Sequence, residues 1–331
     1  MSFSTIAPPL SSIENFEKAE YHNVVYAKDL VWFFSRNFVQ QPTFNWGQRV
    51  TFIGGYAVSF DTVEKKWNTP VQFPAVLNEE NATENVFEHK GEIYLLLGAA
   101  FGGVEFKSLH KWTGEKWQQL VLKAPAKKIS EDEKSQAEYI TAVSRPGSHH
   151  TTIVVGMNRV YHAYRLTISE NAAEIDYQAE SPMEGFMPGL PIAALQGNGK
   201  VFISYGVFGC GFMWETYKLI KFDEETKTFE IIQVADAEAR SGPPFFSRAD
   251  YVGTNASGDF LHLTGSVRVG MSGSEHNGSL YAITGLSNGN QQWTKLSLEA
   301  PQGLDGIAVN SETNDIFAFN SEHAYHGKLS I

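Results

Sequence analysis

Six short hairpins, a second pair of strands after most of them, and a last unit one strand short predict an all-β protein. The expected fold is a six-bladed β-propeller whose last blade is closed by the N-terminal strand. Composition agrees: aromatic residues make up 13% of the 331-residue chain, and many of its 29 glycines fall between short apolar runs, which suits many strands and many turns. At 42% hydrophobic the chain can bury a large core, and a large all-β fold absorbs this length as one domain.

The six hairpins are Val24–Phe34, Val86–Leu97, Thr141–Val155, Ala193–Tyr205, Asp250–Leu263 and Gly306–Phe319. Each places two apolar runs around a polar or glycine-bearing turn. Second elements follow at Tyr56–Pro70, Lys107–Leu120, Tyr217–Ile232 and Leu280–Leu296, and more loosely at Thr167–Tyr177. Two hairpins make a four-stranded blade. The blades expected on this basis are 20–75, 84–126, 138–180, 191–236, 248–300 and 304–331 plus 1–12, in a single domain spanning 1–331. The sixth unit supplies only a third strand, Tyr325–Ile331. Ser2–Ser11 alternates and exits through proline as the outer strand Trp293–Pro301 does, so it is expected to complete that blade and remove an open edge. No long helical pattern is present; Asp132–Ala137 is read as a charged loop.

The formal net charge of −11 gives no electrostatic reason to bind nucleic acid or an anionic membrane. One cysteine, Cys210, excludes an intramolecular disulfide. That cysteine count and the absence of a leader favour the cytoplasm, whereas Asn81, Asn255 and Asn277 stand in glycosylation triplets that would suit secretion.

In a propeller, the loops joining each outer strand to the next inner strand share one face with those joining second and third strands. Here those loops are apolar. Phe38–Gln48 carries Phe38, Phe44 and Trp46, and Ala99–Val104 carries Phe101. Ser181–Pro191 carries Met183, Phe186 and Met187, and Gly206–Trp214 carries Phe208, Phe212, Met213 and Trp214. Gly242–Phe246 carries Phe245 and Phe246, and Val267–Met271 adds Met271. Loops are ordinarily polar, so apolar residues gathered on one face point to a pocket. Polar residues are expected at the same mouth. Inner-strand starts bring His22, Glu84, Asn85, Glu138, Tyr139, Arg248, Asp250 and Asp305, and second-strand ends bring Arg36, Asn37, Tyr205 and Asn320.

Phosphate-loop, dinucleotide and nucleophile-elbow motifs are absent, and Ser266–Ser274 is read as a flexible loop. His149 and His150 are adjacent in an extended segment and point to opposite sides, so they make a poor metal pair. No cofactor or metal is expected. Three classes are open: a sugar-binding propeller lectin, a kelch-like interaction scaffold, and an enzyme or binder for an apolar small molecule. No aromatic and charged pattern recurs in register from blade to blade as a multivalent lectin would need. The kelch double glycine appears once, at Gly54-Gly55. Chemistry by placement and hydrogen bonding suits the third class.

The six-unit layout, the chain length and the apolar upper face resemble the fungal propeller pericyclases that carry out hetero-Diels–Alder reactions in tropolonic sesquiterpenoid biosynthesis. The resemblance is one of architecture, and no residue role is carried over. It implies a cofactor-independent cycloaddition in secondary metabolism. The substrate would be an apolar terpenoid cradled by the loops named above beside Asp305, and a donor among Arg36, His22, Tyr205 and Arg248 would meet its carbonyl.

Overall fold

The computed structural model describes residues 3–8, 21–42, 48–74, 82–99, 105–125, 137–144, 148–157, 160–181, 194–197, 200–204, 218–236, 251–254, 260–263, 266–269, 273–276, 279–286, 288–299, 301, 304–320 and 323–329. Residues 21–22, 36–42, 48–53, 137–139 and 304–305 are among those described by backbone alone.

The first strand, β1 (Ser4–Ala7), joins the last blade rather than the first. Blade 1 holds β2 (Tyr21–Ala27), β3 (Leu30–Pro42) and β4 (Gln48–Asp61), with β5 (Lys66–Trp67) and β6 (Val71–Phe73) both paired to β4. Blade 2 holds β7 (Ala82–His89), β8 (Glu92–Ala99), β9 (Phe106–Trp112) and β10 (Trp117–Lys123). Blade 3 holds β11 (Ala137–Val143), β12 (His150–Met157), β13 (Val160–Ile168) and β14 (Ala172–Glu180). Blade 4 holds β15 (Ala194–Gly197), β16 (Lys200–Ser204), β17 (Lys218–Asp223) and β18 (Thr228–Gln233), and the chain leaves it through β19 (Ala235–Asp236). Blade 5 begins with β20 (Tyr251–Thr254) and β21 (Phe260–Leu263). It sends out a separate hairpin of β22 (Ser266–Val269) and β23 (Gly273–His276), then closes with β24 (Ser279–Thr284) and β25 (Gln292–Glu299). Blade 6 holds β26 (Leu304–Asn310), β27 (Asp315–Asn320) and β28 (Ala324–Lys328), and β1 is its fourth strand. Ser4 pairs with His326 and Thr5 with Tyr325, which is the closure expected from the sequence.

The inner strands β2, β7, β11, β15, β20 and β26 stand side by side in a ring, with β26 against β2. This is a six-bladed β-propeller. The core lies in the seams between blades. Strands covered on both faces are mostly apolar, as in β13 (Val160–Ile168), where six of the nine residues are buried and only Arg165, Thr167 and Ile168 at its outer end are not. Outer strands alternate instead; in β25 Trp293, Leu296 and Leu298 are buried while Gln292, Lys295 and Ser297 are exposed. Phe33 and Phe60 of blade 1 meet Phe319 of blade 6 edge to face, with centroids 4.7 and 5.7 Å apart. Full burial of such a ring contributes roughly 2–3 kcal/mol.

Three turns repeat one device. Asp61 Oδ1 accepts from the amides of Val63 and Glu64, Asp223 Oδ1 from Glu225 and Thr226, and Asn310 Oδ1 from Glu312 and Thr313. Lys65, Lys227 and Asn314, four residues on, take the left-handed conformation with φ of 55°, 57° and 61°. A side-chain acceptor at the first position pre-forms the turn and fixes the hairpin register.

Two sequence expectations are corrected. Ser266–Ser274 is not a loop throughout: Ser266–Val269 pairs with Gly273–His276, because its alternating Ser, Val, Arg, Val suits an extended strand. Phe38–Gln48 is not a loop throughout either. β3 runs on to Pro42 and β4 begins at Gln48, with Phe38 paired to Phe52 and Gln40 to Val50, so Phe38 stands in a strand. The Asp132–Ala137 segment, apart from Ala137 at the start of β11, lies outside the described residues.

Candidate functional site

Side-chain links show which strand ends share a face. Asn310 of blade 6 donates from Nδ2 to Tyr26 Oη of blade 1 at 2.9 Å, and that hydroxyl donates to Asp29 at 3.0 Å. Burial, with Asp29 beside it, pushes the Tyr26 phenol up to about 12. Lys28 of blade 1 pairs with Glu92 of blade 2 at 2.6 Å. His89 Nδ1 of blade 2 lies 3.0 Å from Ser144 Oγ and 3.2 Å from Thr151 Oγ1 of blade 3, and these two hydroxyls are 2.5 Å apart. His150 of blade 3 reaches Glu224 of blade 4 at 3.2 Å, and Thr152 donates to the same carboxylate. All of these groups sit at or beside the inner-hairpin turns or the turn between β17 and β18. The turns of blades 6, 1, 2, 3 and 4 therefore form one polar face.

The opposite ends of the strands form the other face, and four expected site residues have their backbone there. His22 stands one residue into β2, Arg36 and Phe38 lie in the distal half of β3, and Asp305 stands one residue into β26. Pairing at this end is irregular in a repeated way. Tyr21 pairs with Ser35 and Asn23 with Phe34, so His22 is an extra residue. Leu304 pairs with Asn320 and Gly306 with Phe319, so Asp305 is another. Ala137 pairs with Met157 and Tyr139 with Gly156, which leaves Glu138 as a third. Such bulges redirect a side chain and gather next to functional sites. β26 and β2 come very close here: a Cβ on Gly306 would lie 2.7 Å from Val24 Cγ2. The bulges of His22 and Asp305 thus share the seam between blades 6 and 1, with Arg36 on the adjacent strand. Nothing in the local sequence marks them except the glycine after Asp305.

Tyr205, Arg248, Phe44, Trp46, Phe101, Met183, Phe186, Phe208, Phe212, Met213, Trp214, Phe246 and Met271 lie outside the described residues. Two polar residues expected at the mouth are engaged within the fold. Asn85 Oδ1 accepts from the Ala142 amide of the next blade at 3.0 Å. Asn320 accepts from the His323 amide at 2.8 Å and is buried. Gly54-Gly55 has a packing cause: a Cβ on Gly55 would lie 2.1 Å from the Ser35 carbonyl oxygen and 2.6 Å from the Phe73 ring, so β6 needs that glycine to fold back on β4. Among the described residues, no group of three or more His, Cys, Asp or Glu could hold a metal ion.

No family model matches this chain, and no curated protein matches it. Solved structures do. A protein of unknown function from Dyadobacter fermentans DSM 18053 is similar over 99% of both chains at 12% identity, with a TM-score of 0.56. NanB, in a structure with optactamide, is similar over 93% of this chain and 68% of its own at 8% identity and a TM-score of 0.54. The Dos1 propeller aligns over 93% and 78% at 8% identity and a TM-score of 0.42. At such identities the likeness to the first two is one of fold.

Proposed function

We propose that the protein is a cofactor-independent enzyme for an apolar small molecule held at the mouth of the propeller, with a hetero-Diels–Alder cycloaddition of a terpenoid as its reaction. The observation that carries this is the gathering of the His22, Arg36, Phe38 and Asp305 backbone positions at one strand end, the end from which the apolar segments depart. A cycloaddition forms its new bonds in one step and leaves over no proton, electron or leaving group. Holding diene and dienophile in a near-attack geometry, and one donor that polarises a carbonyl, are enough. Arg36 and His22 are the first donors to consider, with Tyr205 and Arg248 as further candidates. Phe38, Phe44, Trp46, Phe101 and Met183 would form the apolar wall with Phe186, Phe208, Phe212, Met213, Trp214, Phe246 and Met271, and Asp305 would contact substrate.

The test is a crystal structure after soaking with a mixed panel of apolar polycyclic compounds and simple sugars. Density for an apolar compound at the mouth, with its carbonyl on Arg36 or His22, is the expected result. Sugars bound at shallow sites between blades would make the protein a lectin, and a mouth filled by its own loops would leave the scaffold role.

A further inference from the structure

The chain leaves successive blades in two alternating ways. After blade 2, β10 continues past its partner β9 and pairs in parallel with β14 of blade 3, Val121 to Lys123 against Ala172 to Glu174. The Val121 amide donates to the Asn171 carbonyl at 3.1 Å, and Lys123 pairs with Glu174. After blade 4, β19 pairs in parallel with β25 of blade 5, Ala235 with Gln292 and Asp236 with Trp293. Between blades 6 and 1, Trp67 Nε1 of blade 1 donates to the Pro8 carbonyl, just past the closing strand β1 of blade 6, at 3.0 Å.

Among the described residues, the other three exits show no such pairing across the rim. After blade 1, β6 turns back onto β4 of its own blade. After blade 3, Ser181 returns to its own blade, its amide donating to the Tyr161 carbonyl and its hydroxyl accepting from the Tyr161 amide, both at 2.8 Å. From blade 5 to blade 6 only residues 300–303 separate β25 from β26.

We infer that the ring is built of three rim-clasped blade pairs, 6 with 1, 2 with 3 and 4 with 5, and that it opens along the three seams between pairs. Every seam for which a core is described has apolar packing, so burial alone does not set the pairs apart. The clasp adds strand pairing between blades 2 and 3 and between blades 4 and 5, and an indole-to-carbonyl bond between blades 6 and 1, at the outer rim, where opening two blades separates them most. Among the described residues, the polar contacts across the unclasped seams, such as Lys28 to Glu92 and His150 to Glu224, are side-chain pairs that break one at a time. The inference does not depend on what binds at the mouth.

Native-state hydrogen exchange of the full chain, followed by mass spectrometry in sub-denaturing urea, tests it. Peptides from β7–β10 and β11–β14 should share one opening curve, distinct from that of blade 4. Val121→Pro removes the amide that Asn171 accepts and should split that curve, one of the two blades exchanging about tenfold faster than the other. Separate curves for blades 2 and 3 in the unaltered protein, one curve for all six blades, or a curve that stays merged in the variant would overturn the inference. Should the variant fail to fold, the unaltered profile decides alone.

Discussion

Trp67 Nε1 donates to the carbonyl oxygen of Pro8 at 3.0 Å, and its ring lies 5.6 Å from that of Phe319. One indole of blade 1 thus holds blade 6 twice, hydrogen-bonding Pro8 beyond its closing strand through the ring edge and packing on Phe319 through the ring. Trp67→Phe keeps much of the ring and loses the bond, at an expected cost of about 1 kcal/mol. Trp67→Ala should cost about 2 kcal/mol or more. Urea midpoints of the two variants separate the contributions.

Ala7 is buried with Val31, Phe33 and Phe317 where β1 meets blades 6 and 1. Ala7→Asp would put an unpaired carboxylate there and should destabilise by about 3 kcal/mol. Hydrogen exchange in β28, the partner of β1, should rise first. Unchanged protection of β28 would mean that the closing strand contributes little.

A side chain at Gly55 has no room, and the nearest obstacle is the Ser35 backbone, which cannot turn aside. Gly55→Ala should therefore cost about 2 kcal/mol or more. Adding Phe73→Ala should not restore the loss, and a double variant as stable as the native protein would contradict this account.

Burial holds the His89 imidazole down to about 4, with Lys90 as the next cause, and burial does the same to His110. Both rings are neutral when folded, while in the unfolded chain they take up a proton near pH 6.5. The unfolded state thus binds more protons between these values, so the stability present above pH 6.5 falls as pH drops toward 4. Thermal unfolding across this window should show a steep acid limb. His89→Gln with His110→Gln should flatten it, and an unaltered slope would assign the limb to carboxylates instead.

If they serve the site rather than the fold, Arg36→Gln, His22→Asn and Asp305→Asn should leave the unfolding free energy within about 0.5 kcal/mol of the native value. Binding of an apolar compound identified by soaking should weaken in at least one of them by about tenfold. Calorimetric titration measures this. Uniform affinity across the three would remove these residues from the proposed site.

Much of the fold is legible because its signals are local. Alternation and turn residues mark Val24–Phe34 or Lys107–Leu120 without reference to the rest of the chain, and the missing fourth strand of the last unit points to Ser4–Ala7. The rim clasps are not legible. Val121 to Lys123 look like the end of any outer strand, and their partners Ala172 to Glu174 lie in another blade. Backbone pairing of this kind leaves no side-chain signature. The bulges at His22, Glu138 and Asp305 were hidden for the same reason: register is a property of two strands, and either strand alone reads as regular. Apolar content at Phe38 suggested a loop with an oily patch, whereas its pairing with Phe52 makes it part of a long ribbon.

Because Ser4 lies opposite His326, the two ends of the chain finish as neighbouring strands of one sheet. Joined by a short tether across Phe3 and Leu329, they would make an ordinary hairpin, and the ring would have no privileged starting point. The protein could then be reopened at a surface turn such as Val63-Glu64, and a circular permutant begun there should keep the same six blades. What the closing strand provides is cohesion between blades 6 and 1, which a covalent tether can supply as well as a hydrogen-bonded edge.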